Sequence, residues 1–452
     1  MNVPSVAKTA ARTKVLSREV AFQVAQDVFG EEKRGAQAAF TLRARKAELD
    51  TRDRSFAAEL AYGSIKARRR IDHELAPYVG VRDKALPPAI ADVLRLGVYQ
   101  LRYMSGVDDH AAVSETVNLA WKHGHKGTAG LVNAVLRRMI ADGPLRLDEH
   151  SFKNWNDYFG VKYSVPSWIA GQFLAAYGSA AEDALAGINA APQYAIRVNA
   201  LRTDVAAVLA ELAEQGVGAR VSPFVPESLL VASGTLGDDP GGRWSVQGEA
   251  ATMPVDLLAP QPGETVLDLC SGRGNKSVQI AARMNGEGSL VCVELDEKKV
   301  RVLREGLERA DARNVAVVAG DARVVAADVS AQAVLLDAPC SGIGVIGRHP
   351  EARWRKTPED GARLAGVAAE LLRAAAARTA PGGRLVYSVC STDPREGRAV
   401  VDAFLASDVA FARASIPERY APFAASGDVI VPAGIEGRDG FYIASLARAS
   451  AA

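Results

Sequence analysis

The first third of the chain has apolar residues at helical spacing. From Ser17 to about Met139 these residues are separated by three or four positions, and no strand-like alternation interrupts them. Turn-forming residues break the pattern at four places: Gly30, residues 78–88, residues 106–110 and Gly124. We therefore predict an all-helical domain of several short helices over residues 17–145.

The pattern changes after Asp142-Gly143-Pro144, where a turn marks a boundary. The run 195–199 is typical of a strand, and the apolar residues at 205, 208, 209 and 212 that follow it have helical spacing. Residues 146–259 are therefore predicted to form a linker and a small α+β subdomain.

From Gly263 onward, strands and helices alternate regularly. Apolar, β-rich runs predict seven strands, at 264–269, 289–294, 315–319, 333–337, 383–389, 409–414 and 440–447. Amphipathic runs between them predict helices at 276–284, 297–310, 358–379 and 395–406. Such alternation is typical of an α/β fold in which helices cover both faces of a mostly parallel sheet. We predict that this domain spans residues 260–447.

Composition indicates a globular protein that needs more than one hydrophobic core. The chain has 452 residues, of which 48% are hydrophobic and 24% charged. No apolar run reaches the roughly 18 to 20 residues of a membrane span, and we expect the basic residues 1–16 to be a flexible tail. The four cysteines show neither metal-ligand spacing nor a disulfide framework, so we expect no metal site and a cytoplasmic protein.

Positive charge is concentrated at the front of the chain. The formal net charge is +1, whereas residues 1–145 carry roughly 23 basic and 16 acidic groups. Basic clusters at 43–46 and 66–70 could contact the phosphates of a nucleic acid, or they could be solvated helix faces. Charge alone leaves both interpretations open.

Two predicted strands end in chemically reactive residues. The run 334–336 stops at Asp337, Pro339 and Cys340, and the run 385–389 stops at Cys390. In open α/β sheets, reactive groups collect at the carboxyl ends of strands, so these residues are candidates for a site. A single cysteine in such a place is commonly a small buried hydrophobe, but two in matched contexts favour chemistry.

The first three strands of this domain end in residues that suit a nucleoside. A glycine-bearing loop, Cys270-Ser271-Gly272-Arg273-Gly274-Asn275-Lys276, leads from the first strand into a helix, and its spacing does not fit a P-loop. Glu294 ends the second strand, placed for ribose hydroxyls, and Asp321 ends the third, placed for an adenine amino group. A dehydrogenase would use the same arrangement, so the class of adenosine-containing cofactor stays open.

Several motifs together resemble the Sun-type family of RNA cytosine-5 methyltransferases. The family's D-A-P-C-S-G-x-G is intact from Asp337 to Gly344, and its Y-S-T-C-S is matched at 387–391 with Val389 in place of threonine. The glycine loop departs from the family's D-x-C-A-A-P-G-G-K-T, most strongly at Arg273 and Asn275. Further matches are Arg348, Pro350 and Trp354, residues 440–444, and, as RNA-side motifs, Arg197-Val198-Asn199 and Gln247-Gly248-Glu249-Ala250.

The helical region resembles a NusB-type RNA-binding domain in the segments 52–54, 61–63 and 132–137. Its pairing with such a methyltransferase domain is similar to the bacterial small-subunit ribosomal RNA methyltransferase B family. The resemblance covers about residues 17–447. It implies a Rossmann-like class I methyltransferase domain, S-adenosylmethionine as the methyl donor and small-subunit ribosomal RNA as the partner. We expect the protein to act as a monomer.

The resemblance also implies a role for each site residue. Cys390 would attack carbon-6 of the cytosine and so make carbon-5 nucleophilic. Asp337 would hold the base edge that carries N3 and the exocyclic amine, and Cys340 would help release the product. The cofactor would be bound by Cys270, Ser271, Gly272, Arg273, Gly274, Asn275, Lys276, Glu294, Asp321 and Asp337.

Three alternatives stay open at this point. DNA cytosine methyltransferases attack with a Pro-Cys cysteine, so spacing alone does not choose between Cys340 and Cys390. The substrate could be a transfer RNA rather than a ribosomal RNA. The altered residues Arg273, Asn275 and Val389 would also fit a non-catalytic RNA-binding or assembly factor with a degenerate methyltransferase domain.

Overall fold

The computed structural model describes residues 6–79, 86–237, 239 and 241–451, with side chains from Leu16 onward. The chain divides into two compact units. The first consists of Met1–Ala175 with Arg348–Arg355, and the second of Ala176–Gly347 with Lys356–Ala452. The first unit therefore takes in eight residues from the predicted 260–447 domain. The predicted boundaries after residues 145 and 259 stay predictions.

Most described residues of the first unit are helical. The helices are α1 (Val6–Phe29), α2 (Ala36–Lys46), α3 (Thr51–Lys66), α4 (Arg68–Val79), α5 (Pro88–Tyr103), α6 (Asp109–His123), α7 (Lys126–Asp142), α8 (Trp155–Lys162) and α9 (Ser167–Tyr177), which continues into the second unit. Helix α1 begins at Val6, within the segment 1–16 predicted to be a tail, and residues 1–5 lie outside the described part. No described helix combines the length and the apolar character that crossing a bilayer requires.

Local capping and a shared core explain these helices. Asp50 accepts a hydrogen bond from the backbone of Asp53 at the start of α3, which satisfies an otherwise unpaired N–H group. The apolar stripes of the helices meet in one core that includes Leu60, Leu94 and Leu136. The helical spacing in the sequence therefore reflects a bundle that buries one face of each helix.

The second unit begins with a small antiparallel sheet. Along the chain lie α10 (Ala181–Gly187), β1 (Tyr194–Val198), α11 (Val205–Glu214), β2 (Gly218–Val221), β3 (Ser228–Ser233) and β4 (Trp244–Val246). The strand order is β2-β3-β1-β4. Ile196 and Val198 share a core with Val208 and Leu212 of α11, which confirms the predicted strand and helix.

A larger sheet follows in the same unit. Its elements and covering helices are α12 (Glu249–Leu258), β5 (Thr265–Leu269), α13 (Asn275–Arg283), β6 (Ser289–Glu294), α14 (Glu297–Arg309), β7 (Val315–Ala319), β8 (Ala331–Asp337), α15 (Ala352–Arg355), α16 (Pro358–Arg378), β9 (Thr379–Val389), α17 (Arg398–Ser407), β10 (Phe411–Arg413), β11 (Ala424–Ala425), β12 (Asp428–Val431) and β13 (Phe441–Arg448). Helix α15 belongs to the first unit. The strand order is β11-β12-β13-β9-β8-β5-β6-β7, and β10 pairs with β13.

The sheet confirms the α/β class and extends beyond the prediction. All seven predicted strands are present, and the described sheet has nine. The two additional strands, β11 and β12, have only two and four residues, too short to give a recognisable alternation. Strands β5 to β9 pair in parallel and the others pair antiparallel, so the sheet is mixed.

The parallel register brings the reactive strand ends to one edge of the sheet. Leu269 of β5 is paired with Leu336 of β8, and Asp337 is paired with Ser388 of β9. Along β8, Val334 and Leu336 face one buried core while Leu335 faces the other. Because both faces are covered, the strand reads as an uninterrupted apolar run that ends abruptly at the site.

Candidate active site

A tight loop between β5 and α13 forms one wall of the site. Cys270, Gly272 and Gly274 have φ values of 65°, 61° and 89°. The backbone N–H of Ser271 donates to the carbonyl of Val293 at 2.9 Å, which ties the loop to β6. A Cβ on Gly274 would stand 2.6 Å from Cδ1 of Leu303. Glycine is therefore needed at 274 both for its backbone conformation and for close packing.

Acidic side chains follow at the ends of β6 and β7. Glu294 accepts hydrogen bonds from the backbone N–H groups of Gly272 at 2.8 Å and Asp296 at 2.9 Å, so its carboxylate is fixed beside the loop. Asp321 is paired with Arg323 at 2.6 Å, and these hydrogen bonds lower the pKa of Asp321 to about 2. Asp321 is therefore an ionised acceptor at neutral pH.

These elements surround a cleft of about 430 Å³, within the range of roughly 300–1,000 Å³ that small-molecule sites occupy. The predicted site residues that line it are Cys270, Gly272, Glu294, Asp321, Asp337, Cys340 and Cys390. The predicted cofactor residues that do not line it are Ser271, Arg273, Gly274, Asn275 and Lys276. The structure thus brings together the thiols of Cys340 and Cys390 and the acidic residues at three strand ends.

The residues that do not line the cleft have other positions. The Ser271 hydroxyl is turned inward and donates to the carbonyl of Asp268 at 2.8 Å. Arg273 and Asn275 are exposed, whereas Val389 is buried in β9. The strongest departures from the Sun-type motifs therefore fall outside the cleft lining.

Sequence reasoning missed part of the lining. Leu295, Asp296 and Lys299 continue from the predicted Glu294, and Arg323 continues from Asp321. Val367 and Leu371 of α16 also line the cleft. Their separation of four residues predicts a shared helix face. Which helix covers the site depends on tertiary packing, which that spacing does not reveal.

Asp337 is held from two sides. Its Oδ2 accepts a hydrogen bond from Nζ of Lys276 at 2.7 Å, and its Oδ1 accepts one from the hydroxyl of Ser388 at 2.7 Å. Burial opposes the charged form of Lys276, but the Asp337 carboxylate outweighs it and raises the pKa of Lys276. The predicted cofactor residue Lys276 is thus the counter-ion of Asp337.

The two thiols of the strand ends are neighbours. Sγ of Cys340 lies 3.5 Å from Sγ of Cys390, a separation at which one thiol donates to the other. This hydrogen bond, together with burial, raises the pKa of the Cys340 thiol well above its usual value. A Cys390 thiolate is among the charges that favour the cationic form of Lys276. The arrangement favours a proton on Cys340.

Backbone contacts fix the loops that carry these groups. The N–H of Ala338 donates to the carbonyl of Ser388 at 2.9 Å, and the N–H of Gly344 donates to the carbonyl of Cys390 at 3.0 Å. The N–H of Gly440 donates in turn to the carbonyl of Gly344 at 2.8 Å. A Cβ on Gly344 would stand 2.1 Å from the carbonyl oxygen of Gly440. The glycine that ends the motif therefore allows this close approach.

The remaining cysteines do not have the properties of nucleophiles. Burial raises the pKa of Cys270 to about 12 and raises the pKa of Cys292, which lies inside β6. A thiol needs a low pKa to attack, because the thiolate is the reactive form. By this criterion, neither Cys270 nor Cys292 fits the role of a nucleophile.

The motifs expected on the RNA side are partly structural. Nε of Arg197 donates to Gln247 at 2.8 Å, and the amide of Asn199 donates to the carbonyls of Gly242 and Ala310 at 2.9 Å. Arg197 and Asn199 are both buried. They therefore hold the small subdomain together and join it to Ala310, the residue that follows α14.

The downstream motif residues Arg348, Pro350 and Trp354 belong to the first unit. Nε1 of Trp354 donates to the carbonyl of Ile65 at 2.8 Å, and Arg353 is fully buried and donates to the carbonyl of Ser164 at 3.2 Å. Arg355 donates to the carbonyls of Val28 and Arg34. This motif is therefore an anchor in the helical unit.

Three family models match separate parts of the chain. Residues 255–447 match 16S rRNA methyltransferase RsmB/F, and residues 16–141 match the NusB family. Residues 165–235 match the ferredoxin-like domain of RsmF/B-like methyltransferases. The matches agree with the order of elements found in the structure.

Similarity to individual proteins extends over most of the chain. Ribosomal RNA small subunit methyltransferase B of Thermus thermophilus is 35% identical, over 89% of this chain and 91% of its own length. The protein of the same name from Pseudomonas putida is 33% identical, over 89% and 92%. The crystal structure of PH0851 is 25% identical with a TM-score of 0.81, over 99% of both chains. The chain therefore belongs to the RsmB/F family of 16S rRNA methyltransferases, whose cofactor is S-adenosylmethionine.

Proposed function

We propose that this protein methylates carbon-5 of a cytosine in small-subunit ribosomal RNA, through a covalent bond between Cys390 and the base. The observation that carries the proposal is the pair of thiols 3.5 Å apart in a cleft that also contains the Asp337 carboxylate with its Lys276 counter-ion. Cytosine C5 chemistry needs a nucleophilic thiol, a group at the N3 edge of the base and a way to expel the product.

S-adenosylmethionine fits the donor set of the cleft. Glu294 and Asp321 supply carboxylate acceptors for ribose and adenine, and Gly272 leaves the backbone accessible. Val367 and Leu371 supply apolar contact. The acids also suit a ligand that carries positive charge. When bound, the cofactor supplies a methyl group on a positively charged sulfur.

The residues of this chain would then activate the base. The Cys390 thiolate forms a bond to carbon-6, and the electron pair of the C5–C6 double bond makes carbon-5 nucleophilic. Asp337 accepts a hydrogen bond from the exocyclic amine, and Lys276 offsets the negative charge that develops towards N3. Neither group has to reorganise, because both are already held by neighbours.

Product release reverses the first bond. After methylation, a base removes the proton from carbon-5, the C5–C6 double bond re-forms and the bond between Cys390 and carbon-6 breaks. We assign Cys340 to this step because its Sγ lies 3.5 Å from the departing sulfur. Because the raised pKa of Cys340 keeps its thiol protonated, Cys340 can donate that proton to the sulfur of Cys390 as it leaves carbon-6.

The RNA substrate is supported by the relatives and by the charge of the front of the chain. The Thermus and Pseudomonas relatives are named as small-subunit ribosomal RNA methyltransferases. The target cytosine has to leave its stack to reach a cleft of this kind. We propose that the basic helical unit holds the surrounding RNA by its phosphates and that the protein acts as a monomer.

Substitution of each thiol tests the mechanism. Cys390→Ala is expected to abolish methyl transfer, whereas Cys340→Ala is expected to accumulate a protein–RNA adduct that survives denaturing electrophoresis. The assay uses small-subunit ribosomal RNA from a strain that lacks this protein, and bisulfite sequencing identifies the cytosine. An adduct formed by Cys390→Ala would reverse the roles assigned to the two thiols. Methylation of transfer RNA in place of ribosomal RNA would refute the proposed substrate.

Calorimetry separates an enzyme from a non-catalytic factor. The changed residues Arg273, Asn275 and Val389 do not line the cleft, so they give no reason to expect weak cofactor binding. We expect S-adenosylmethionine to bind with one-to-one stoichiometry, and absence of binding would refute the enzymatic proposal.

A further inference from the structure

Cys340 and Cys390 are each followed by a serine, and both of these serines bind the carboxylate of Glu396. Glu396 accepts a hydrogen bond from the backbone N–H of Ser341 at 2.6 Å and another from its hydroxyl at 2.5 Å. The hydroxyl of Ser391 also donates to Glu396. One side chain therefore joins the residue after Cys340 to the residue after Cys390.

Glu396 is itself rigidly placed. It is 1% exposed, its backbone N–H donates to the carbonyl of Asp393 at 3.0 Å, and its carbonyl accepts the hydroxyl of Tyr387. Tyr387 is fully buried in β9, so the bridge is attached to the sheet that carries Cys390. A carboxylate held at its backbone and at both oxygens has little freedom to let either loop move.

We propose that Glu396 is a positioning residue that holds the two thiol-bearing loops in register, by binding Ser341 and Ser391 at the same time. Without it, the start and the end of the Asp337–Gly344 loop would still be joined to the Cys390 strand end, by the hydrogen bond between Ser388 and Asp337 and by the backbone hydrogen bonds of Ala338 and Gly344. In the middle of the loop there would remain the weak contact between the two thiols and the contact between the two serine hydroxyls. Glu396 fixes its middle, next to Cys340.

A bridge of this kind serves a reaction in which a base is bound and released by neighbouring sulfurs. Reacting groups lose rate steeply when their positions shift by about 1 Å, so the Sγ to Sγ separation has to be reproducible. Glu396 also acts through charge. The hydrogen bond to Cys390 and burial are the larger causes of the raised pKa of Cys340, and the negative charge of the Glu396 carboxylate is a further cause. It thereby supports a protonated Cys340.

The test measures the thiol pair directly, since the effect on turnover rests on the proposed function. Diamide oxidises two thiols to a disulfide, while its N=N bond takes up the two electrons and two protons. The two sulfurs must close from 3.5 Å to about 2.0 Å, so the rate reports how well the loops are aligned. The disulfide is quantified by mass spectrometry of the Cys340 and Cys390 peptides in the full-length protein.

Three variants separate position, charge and general stability. Glu396→Ala removes the bridge, and Glu396→Gln keeps its size while removing the charge. Asp256→Ala is the matched control: Asp256 is also a buried carboxylate, but it accepts from Arg283, Arg419 and Tyr420 instead of the thiol-bearing loops.

Glu396→Ala is expected to slow disulfide formation at least about tenfold and to lower kcat about 100-fold with KM for RNA unchanged. Glu396→Gln is expected to keep the disulfide rate within about threefold and to shift the pH profile of Cys340 alkylation towards lower pH. Asp256→Ala should change neither rate by more than about threefold at equal folded fraction. Disulfide formation as fast in Glu396→Ala as in the unaltered protein would overturn the inference. If the unaltered protein shows no methyl transfer while the disulfide rates follow this order, the proposed function fails and the positioning role stands.

Discussion

Replacing Asp268 by asparagine is expected to stabilise the protein relative to the unaltered chain, and this difference in unfolding free energy should grow as the pH rises. Asp268 is the penultimate residue of β5, just before the glycine loop, and is fully buried. Its Oδ2 accepts a hydrogen bond from Ser277 at 2.6 Å, which an asparagine oxygen can also accept. The substitution therefore removes a charge while it keeps the shape and the principal hydrogen bond.

The size of the effect follows from the pKa of this carboxyl group. Burial raises the pKa of Asp268 from 3.8 to about 7. Because one pKa unit is worth about 1.4 kcal/mol, the ionised carboxylate costs the folded state about 4 kcal/mol. Between about pH 4 and pH 7, Asp268 is protonated in the folded protein but ionised in the unfolded chain. The free energy of unfolding therefore falls as the pH rises through this window. About 2.5 kcal/mol of that loss lies between pH 5 and pH 8.

Urea denaturation followed by circular dichroism at pH 5, 6, 7 and 8 measures the difference in unfolding free energy between Asp268→Asn and the unaltered protein. Taking the difference cancels the other titrating groups, since both proteins share them. We expect the variant to gain about 2.5 kcal/mol relative to the unaltered protein from pH 5 to pH 8. Asp321→Asn is the control, because the pKa of Asp321 is about 2 and no titration of it falls in this range. A gain below about 0.5 kcal/mol for Asp268→Asn would refute the reasoning.

Two further substitutions test residues that support the cleft without lining it. Gly274→Ala is expected to cost about 2 to 4 kcal/mol, from its φ of 89° and the clash with Leu303, whereas Gly366→Ala, which meets no atom within 4 Å, should be neutral or stabilising in thermal unfolding. Lys276→Met is expected to lower the rate of single-turnover methyl transfer about 100-fold, because Asp337 loses its counter-ion. Since the Asp337 side chain is 31% exposed, the loss of unfolding free energy should stay at about 2 kcal/mol. The control Lys276→Arg keeps the positive charge and should retain most of the rate. Unchanged turnover in Lys276→Met would contradict the role assigned to this pair.

The strand ends were predictable because they depend on local patterns. An uninterrupted apolar run that stops at Asp337 indicates a strand covered on both faces, and the parallel order of strands places its end beside that of the strand before Cys390. The positions of Glu294 and Asp321 follow from the same alternation. These predictions needed no knowledge of side-chain contacts.

The partners of these residues were not predictable in the same way. Lys276 begins a helix and has the sequence context of a solvated lysine, yet its Nζ lies 2.7 Å from Asp337. Glu396 follows Cys390 by six residues in a loop, and only the fold turns its carboxylate towards Ser341. Such contacts depend on loop conformation and on residues distant in sequence, which periodicity does not encode.

The anchor formed by residues 348–355 changes what counts as a separable part of this protein. These eight residues lie between β8 and β9 in the chain, yet they supply a buried arginine and a tryptophan to the helical unit. Removal of residues 1–145 would take away Ile65, which accepts the hydrogen bond of Trp354, and would leave Arg353 with Ser164 but without most of the surrounding bundle. The core of the helical unit is thus completed by a tryptophan from the part of the sequence that matches the methyltransferase model.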